Sequence, residues 1–534
     1  MPQRRRHGSR SCSKLPITLL LLGTLIGTLY FSNIWNMKHF SLASVAATAT
    51  LSLAITTTAH AAASSQSLTA SSASGPPTPP ADLNWYAPKK TMINDLDSVL
   101  DGTGIYGYIF DSSTTPSFLP YSTYNWCNMP HVRPQEYIFP DQSYTLKYVE
   151  VIHRHHKRTP YASNAFPVES NPWLCDDESL YYYGVPSDES AAKIAWRIEQ
   201  SPLNPFMPTG FQDSTCQFPQ ITSGGLLDSR QHGKDIFAVY HDLLSFLPTT
   251  YDPQRIRFRV TNNVITSQVA AQVAVGMYPA LSSHPLNVTV QPTNLDSLEP
   301  QYPCPAATSL SSSYGVGSSD PAWRDHLDAT STVQLFADLD HISGVNTSDP
   351  AWHNWFDHYF DNLSAKLCHG KSLPCNITIS SLCVTQDMAD AVFRRGLYEY
   401  SYIYRDDPHS LAASTAAFGV WLGELAANLR GAMDGSSEVA WRHNIAHDGS
   451  LSRLLSILQV EGMVWPGMGS EVVFELWEKQ ACWFVRVLWG GEVVRSSNPG
   501  LGVLDLVSVD VLLGYIDGLA GVGGRLVPGL CEEG

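Results

Sequence analysis

An alternating apolar run, Tyr144 to Ile152 (YTLKYVEVI), leads without a break into His153-Arg154-His155-His156-Lys157-Arg158. β-Branched and aromatic side chains at period two predict a strand. That strand delivers three histidines and three cations to the loop where it ends. Arg255–Val260 (RIRFRV) predicts a second strand, and Trp441–Ala446 a third that ends on His447-Asp448. Helical spacing marks Gly233–Leu247, Leu411–Met433 and SLSRLLSILQ, opened by Gly449. Ser267–Met277 reads as a small-residue helix packed closely on a neighbour. Cys482–Arg495 is a hairpin signal around Gly490-Gly491. Strands alternating with helices predict an α/β sheet. Ligands bind such sheets beyond the carboxyl ends of the strands, and both histidine motifs fall there.

At 534 residues the chain predicts two or three domains. Residues 280–385 are rich in Ser, Pro, Asn and Asp, with helices expected near Trp352–Leu367 and Ile379–Arg395. The expected organisation is an α/β core begun over 83–279, an inserted, glycosylated, mainly α-helical cap over 280–410, and completion of the core over 411–534. The expected fold is a mixed sheet flanked by helices with that cap inserted. Residues 62–82, of Ala, Ser, Thr and Pro, read as a linker.

Two apolar stretches precede the linker. Leu15 to Trp35 follows Arg4, Arg5, Arg6, Arg10 and Lys14, and is about long enough to span a bilayer, roughly 20 residues. Phe40 to Ala61 follows Met37-Lys38-His39 and ends Ala59-His60-Ala61, a small-x-small cleavage pattern. Residues 1–61 are therefore a signal peptide read from Met37 or a signal-anchor read from Met1. Either start sends the rest of the chain into the secretory pathway, membrane-anchored if residues 15–35 are retained. Without residues 1–61, which hold six basic and no acidic side chains, the formal charge falls from −16 to −22. Such acidity argues against nucleic acid as a partner. Cys12 aside, nine cysteines lack paired C-x-x-C spacing, which argues against zinc and for up to four disulfides plus one free thiol. Sequons at Asn287, Asn346, Asn362 and Asn376 fit N-glycosylation.

Arg154 to Arg158 has three readings from its residues alone. Guanidinium groups grip phosphate by paired charged hydrogen bonds, and neutral imidazole is a nucleophile. The same residues suit a surface basic run that attracts polyanions. A metal site of His153, His155 and His156 is the third reading, although no carboxylate follows closely.

Arg154-His155-x-x-Arg158-x-Pro160 after an apolar strand resembles the signature of the histidine acid phosphatases, branch two of the histidine phosphatase superfamily. Three further segments are similar, in order: Gly225 to Gly233 (GLLDSRQHG), Arg259-Val260-Thr261 through Pro279, and Ala446-His447-Asp448 before an amphipathic helix. The stretch Trp465–Trp477 also resembles the family's C-terminal part. The resemblance spans about Leu146 to Arg495. It implies that His155 takes the phosphoryl group of a small-molecule phosphate ester and that Arg154, Arg158, Arg259 and His447 hold it. Asp448 would protonate the leaving oxygen, so activity is expected to be greatest at acidic pH, with no metal or other cofactor.

Two positions depart from the family. His156 stands where the family usually has glycine, and Ile265 where it often has a second arginine, expected to touch only the substrate rim. With the acidic chain, these departures count against a densely anionic substrate. His156 also motivates a second reading, a catalytically impaired relative that binds phosphorylated ligands. A cell-surface glycoprotein in which the motif is incidental is the third.

Overall fold

Strand β1, Thr145–Arg154, is buried along almost its whole length. Its side chains alternate between two apolar layers: Tyr148 and Ile152 enter one cluster, Val149 and Val151 another. Glu150 is tolerated inside because Tyr148, Asn428 and Asn444 all donate to its carboxylate. The computed structural model describes residues 81–532, apart from 106–120, 122, 169–171, 183–191, 193, 200, 202, 207–212 and 284. The expected signal or anchor region, and the linker as far as residue 80, lie outside the described residues.

Two short strands, β2 (Leu180–Tyr182) and β3 (Ile194–Trp196), pair only with each other. The main sheet continues from β1 in both directions. On one side it runs parallel through β6 (Trp441–Ala446), β4 (Ile256–Val260) and β5 (Val288–Thr289). On the other it runs antiparallel through β7 (Glu471–Lys479), β8 (Cys482–Trp489) and β10 (Val507–Ser508), with β9 (Glu492–Val493) hairpinned onto β8 across Gly490-Gly491. The fold is α/β with a mixed sheet, as the pattern predicts.

Helices cover both faces. Ser410–Asp434, Asp448–Ile457 and Val509–Ala520 pack against Tyr148, Ile152, Phe474 and Val487. Ser223–Phe237 and Val264–Met277 pack against Val149, Val151, Phe258 and Ile445. The second pair lies close because a Cβ on Gly233 would collide with the Val273 carbonyl, and one on Gly276 with that of Arg230. This is the neighbour the small-residue helix requires.

The helix-rich segment gathers Pro305–Tyr314, Pro321–Asp328, Thr330–Ser343, Asp357–Cys368 and Gln386–Ser401 around Trp323, Phe336, Leu339, Phe356 and Phe360. Two findings correct its expected limits. β5 falls within 280–410 yet belongs to the main sheet. Trp126 and Trp465, from outside that range, belong to the helical cluster. Residues Thr78–Gly534 form one compact unit. The helix expected from Ile379 begins only at Gln386, because the Cys375–Cys383 bridge holds the preceding turn and Thr385 caps the helix by accepting from the Met388 amide.

Among the described residues four disulfides form, Cys127–Cys368, Cys175–Cys216, Cys304–Cys531 and Cys375–Cys383, leaving Cys482 free. The count matches expectation. The sequon at Asn362 does not fit a glycan: its side chain is fully buried in Asp357–Cys368, and Nδ2 donates to the Asn164 carbonyl at 3.0 Å. Asn287 and Asn346 are exposed, and Asn376 is half-buried.

Candidate active site

β1 and β6 run parallel in register, with His153 opposite Ile445 and Arg154 opposite Ala446. Their carboxyl ends therefore bring Arg154-His155 and His447-Asp448 together, although nearly 300 residues separate them. A cavity of about 350 Å³ opens there, lined by Arg154, His155, Arg158, His447 and Asp448 among others. Five of the six residues singled out from sequence share it.

His155 is buried, and its Nδ1 lies 2.9 Å from the His156 carbonyl. A carbonyl only accepts, so Nδ1 carries the proton and Nε2 keeps its lone pair. Burial, reinforced by Arg158, Arg154 and His447, holds the His155 pKa well below the ordinary histidine value. Neutral imidazole is thereby favoured.

Arg154 donates from Nη1 to the Pro466 carbonyl at 2.6 Å, and its Nη2 lies 3.0 Å from Asp448 Oδ2. Its guanidinium carbon stands 4.7 Å from the centre of the Trp126 ring. Arg158 is paired with Asp361 at 3.1 Å and lies over Tyr161. His447 caps the Asp448–Ile457 helix, shares a 2.9 Å hydrogen bond with Thr261, and is brought down to about 4 chiefly by burial. Asp448 opens that helix. It accepts from the Trp465 indole at 2.8 Å. Burial pushes its carboxyl up, but Arg154, Trp465, His447 and Arg158 outweigh that and leave it below the ordinary value.

Arg259 is the exception. It does not line the cavity. Its Nη1 pairs with Glu424, and its Nη2 reaches Asp296 at 3.2 Å, Gln291 at 2.7 Å and Ser297 at 2.8 Å. Arg259 lies within β4, whereas Thr261, just beyond the strand end, is the residue that reaches His447. Ile265, which stands where the family often has a second arginine, is fully buried in the apolar cluster that Val264–Met277 joins.

Sequence reasoning missed several residues of the cavity wall. Glu299 lies 3.5 Å from His447 Nε2, and burial together with Asp296 raises its pKa to about 7. Asp361 gathers Arg158, Asn164 and the Tyr161 amide. Arg453, on the Asp448–Ile457 helix, supplies a third arginine to the lining. Arg453 sits one turn beyond Gly449, to whose carbonyl its Nη1 donates at 2.8 Å. Glu299 and Asp361 carry no local signal.

His153 and His156 turn away from the cavity. Their rings meet His232 of Ser223–Phe237 in a fully buried group, so the three-histidine set weighed from sequence exchanges His155 for His232. His156 finds room because position 469 is glycine: a Cβ there would collide with its ring, and Gly469 has φ of 72°.

The model of the histidine phosphatase superfamily (branch 2) matches residues 145–489. Counting factor 60 of Dictyostelium discoideum is 25% identical over 381 residues, covering 69% of this chain and 84% of that protein. Human lysophosphatidic acid phosphatase type 6 is 24% identical, covering 68% and 81%. Among solved structures, a Hafnia alvei phytase in complex with myo-inositol hexakis sulphate aligns at a TM-score of 0.45 with 11% identity, over 71% of this chain and 98% of that one. A match over 145–489 spans the strand that carries His155, the strand that ends on His447, and the sheet between them, and so the chain belongs to the histidine phosphatase superfamily, branch 2.

Proposed function

We propose that the protein hydrolyses phosphomonoesters through a phosphohistidine at His155. One observation carries the reading: the His155 ring is locked by the His156 carbonyl with Nε2 left unprotonated, in a cavity that also holds Arg154, Arg158, His447 and Asp448. Phosphoryl transfer needs chiefly positioning and compensation of the charge on three oxygens. Arg154, Arg158 and His447 supply that compensation, with Arg453 in the role first assigned to Arg259. His155 Nε2 attacks phosphorus, the P–O bond to the alcohol breaks, and Asp448 delivers a proton to the leaving oxygen. Water then attacks phosphorus, and the bond to Nε2 breaks to release inorganic phosphate.

Asp448 must be protonated to act as the acid. In the free protein its proton is disfavoured by Arg154. A bound phosphate takes Arg154 for itself and adds negative charge beside Asp448, and both changes favour protonation. An acidic working range follows. Glu299, Asp357, Asp361 and Asp448 all line the cavity. A wall that adds acidic groups rather than further cations favours a substrate with a single phosphate over a densely anionic one. Four disulfides and the pattern Met37–Ala61 support a secretory route, released or membrane-anchored.

Rapid quench with labelled substrate tests the mechanism. The expected result is a phosphoenzyme labile in acid and stable in base, lost in His155→Ala. Equal, negligible turnover in wild type and His155→Ala, with phosphate still bound, would instead favour a phosphate-binding protein. The displacement of Arg259 from the cavity is the observation that favours that second reading.

A further inference from the structure

We propose a structural site for a divalent transition metal, of the zinc class, formed by His153, His156 and His232 behind the nucleophile loop. One ring nitrogen from each lies within 4.8 Å of the others, and all three side chains are fully buried. His156 Nε2 and His232 Nδ1 are 3.1 Å apart. Tetrahedral nitrogen ligands about 2.0–2.1 Å from zinc lie roughly 3.4 Å from one another, so this pair already has a ligand-like spacing, and His153, within 4.8 Å of both, closes the set by moving inward.

The hydrogen bonds around the group orient it for a cation. His232 Nε2 bonds the Glu471 carboxylate at 2.9 Å, which turns Nδ1 inward as the lone-pair atom. His153 Nδ1 bonds His443 Nε2 at 2.8 Å, which turns its Nε2 inward. Carboxylate and imidazole partners of this kind fix metal-bound histidines. His153 Nε2 is buried with no hydrogen-bond partner. A buried nitrogen without a partner is costly. A metal among the three rings engages His153 Nε2 and replaces the single proton shared by His156 and His232. Three imidazoles with no thiolate suit zinc, cobalt, nickel or copper rather than calcium or magnesium.

The site lies outside the reaction. Its ligands face away from the cavity, and its consequence is positional. The His156 carbonyl holds His155 Nδ1, so fixing the His156 ring fixes the peptide that orients the nucleophile. The inference stands whether or not His155 forms a phosphoenzyme.

The test is metal content of the full-length protein purified without affinity tags. The expected result is about one zinc per chain by mass spectrometry, retained in His155→Ala and lost in His232→Gln and His156→Gln. Protein unfolded with chelator and refolded should melt higher with zinc than without it, because binding to the native state is folding free energy. X-ray absorption at the zinc edge of the wild type should count three imidazole shells, and this measurement serves even if the variants fail to fold. A wild type that purifies without metal and shows no melting shift in zinc overturns the site. So does a zinc shell of oxygen ligands, or metal retained at one equivalent in folded His232→Gln.

Discussion

Arg154 Nη2 stands 3.0 Å from Asp448 Oδ2, so a cation suited to gripping phosphate and the proposed acid neutralise each other until a substrate arrives. Phosphate and Asp448 compete for the same guanidinium. Asp448→Asn removes the competitor and the proton donor together. Inorganic phosphate should then bind more tightly, while kcat falls by about 10²-fold or more. Titration calorimetry and steady-state kinetics separate the two effects. Weaker phosphate binding in the variant would contradict the competition.

Glu299 sets the alkaline side of the pH profile. Its pKa is raised to about 7, so it is neutral below that value and anionic above it. The anion faces His447 and the incoming phosphate, so kcat/KM should fall as pH rises through about 7. Glu299→Gln should lose the extra fall near pH 7 and keep only the decline set by Asp448, as read by pH–rate profiles of both proteins.

Arg453 lines the cavity and Arg259 does not. Arg453→Ala should raise KM several-fold, since it takes charge from the cavity wall. Arg259→Ala should leave KM within about twofold but lower stability by about 2–4 kcal/mol, because Glu424 and buried Asp296 lose their cation. Kinetics and denaturant melts on the two variants decide between these outcomes.

Glycopeptide mapping of protein from a eukaryotic secretory host should find glycan at Asn287 and Asn346 and none at Asn362. The Asn362 amide is inside a helix that packs on Asn164. Occupancy at Asn362 would mean that the segment is modified before this helix docks.

The Cys127–Cys368 bridge closes a loop of 241 residues and anchors the chain beside Trp126, the ring under Arg154. Replacing both cysteines by serine should lower stability by about 2–5 kcal/mol. KM should rise as well, since the platform for Arg154 loosens. A melt and a saturation curve measure the two effects.

The parts of the fold that announce themselves in sequence are those with a clean period. β1, β4 and β6 emerge within a residue or two of expectation, and the Gly490-Gly491 hairpin is where its glycines put it. β7 escapes because Glu471 and Glu475 are buried among its apolar residues, where His232 on a distant helix and Arg486 on the neighbouring strand β8 satisfy them. Helices Pro305–Tyr314 and Thr330–Ser343 escape because Ser- and Thr-rich composition mimics a loop, while tertiary packing of Tyr314, Leu335 and Leu339 supplies their stability. In the cavity, residues on the two parallel strand ends were legible because each motif is local. Glu299 and Asp361 reach it from the chain between those strands, and no local pattern reports that journey. Arg259 misled for the reverse reason: a motif match gives a position in sequence, not the direction a side chain takes.

The imidazole at 156 and the bare backbone at 469 occupy one volume between them. A chain with any larger residue at 469 has no room for this ring, and a chain with this ring has no room for a side chain at 469. The two positions are therefore epistatic, and the order in which they could change is constrained. With His156 in place, even an alanine at 469 would push its Cβ into the imidazole. Returning 156 to glycine in isolation would leave an unfilled hollow behind the nucleophile, so the substitution that looks like a simple reversion to the family pattern is not neutral in this background.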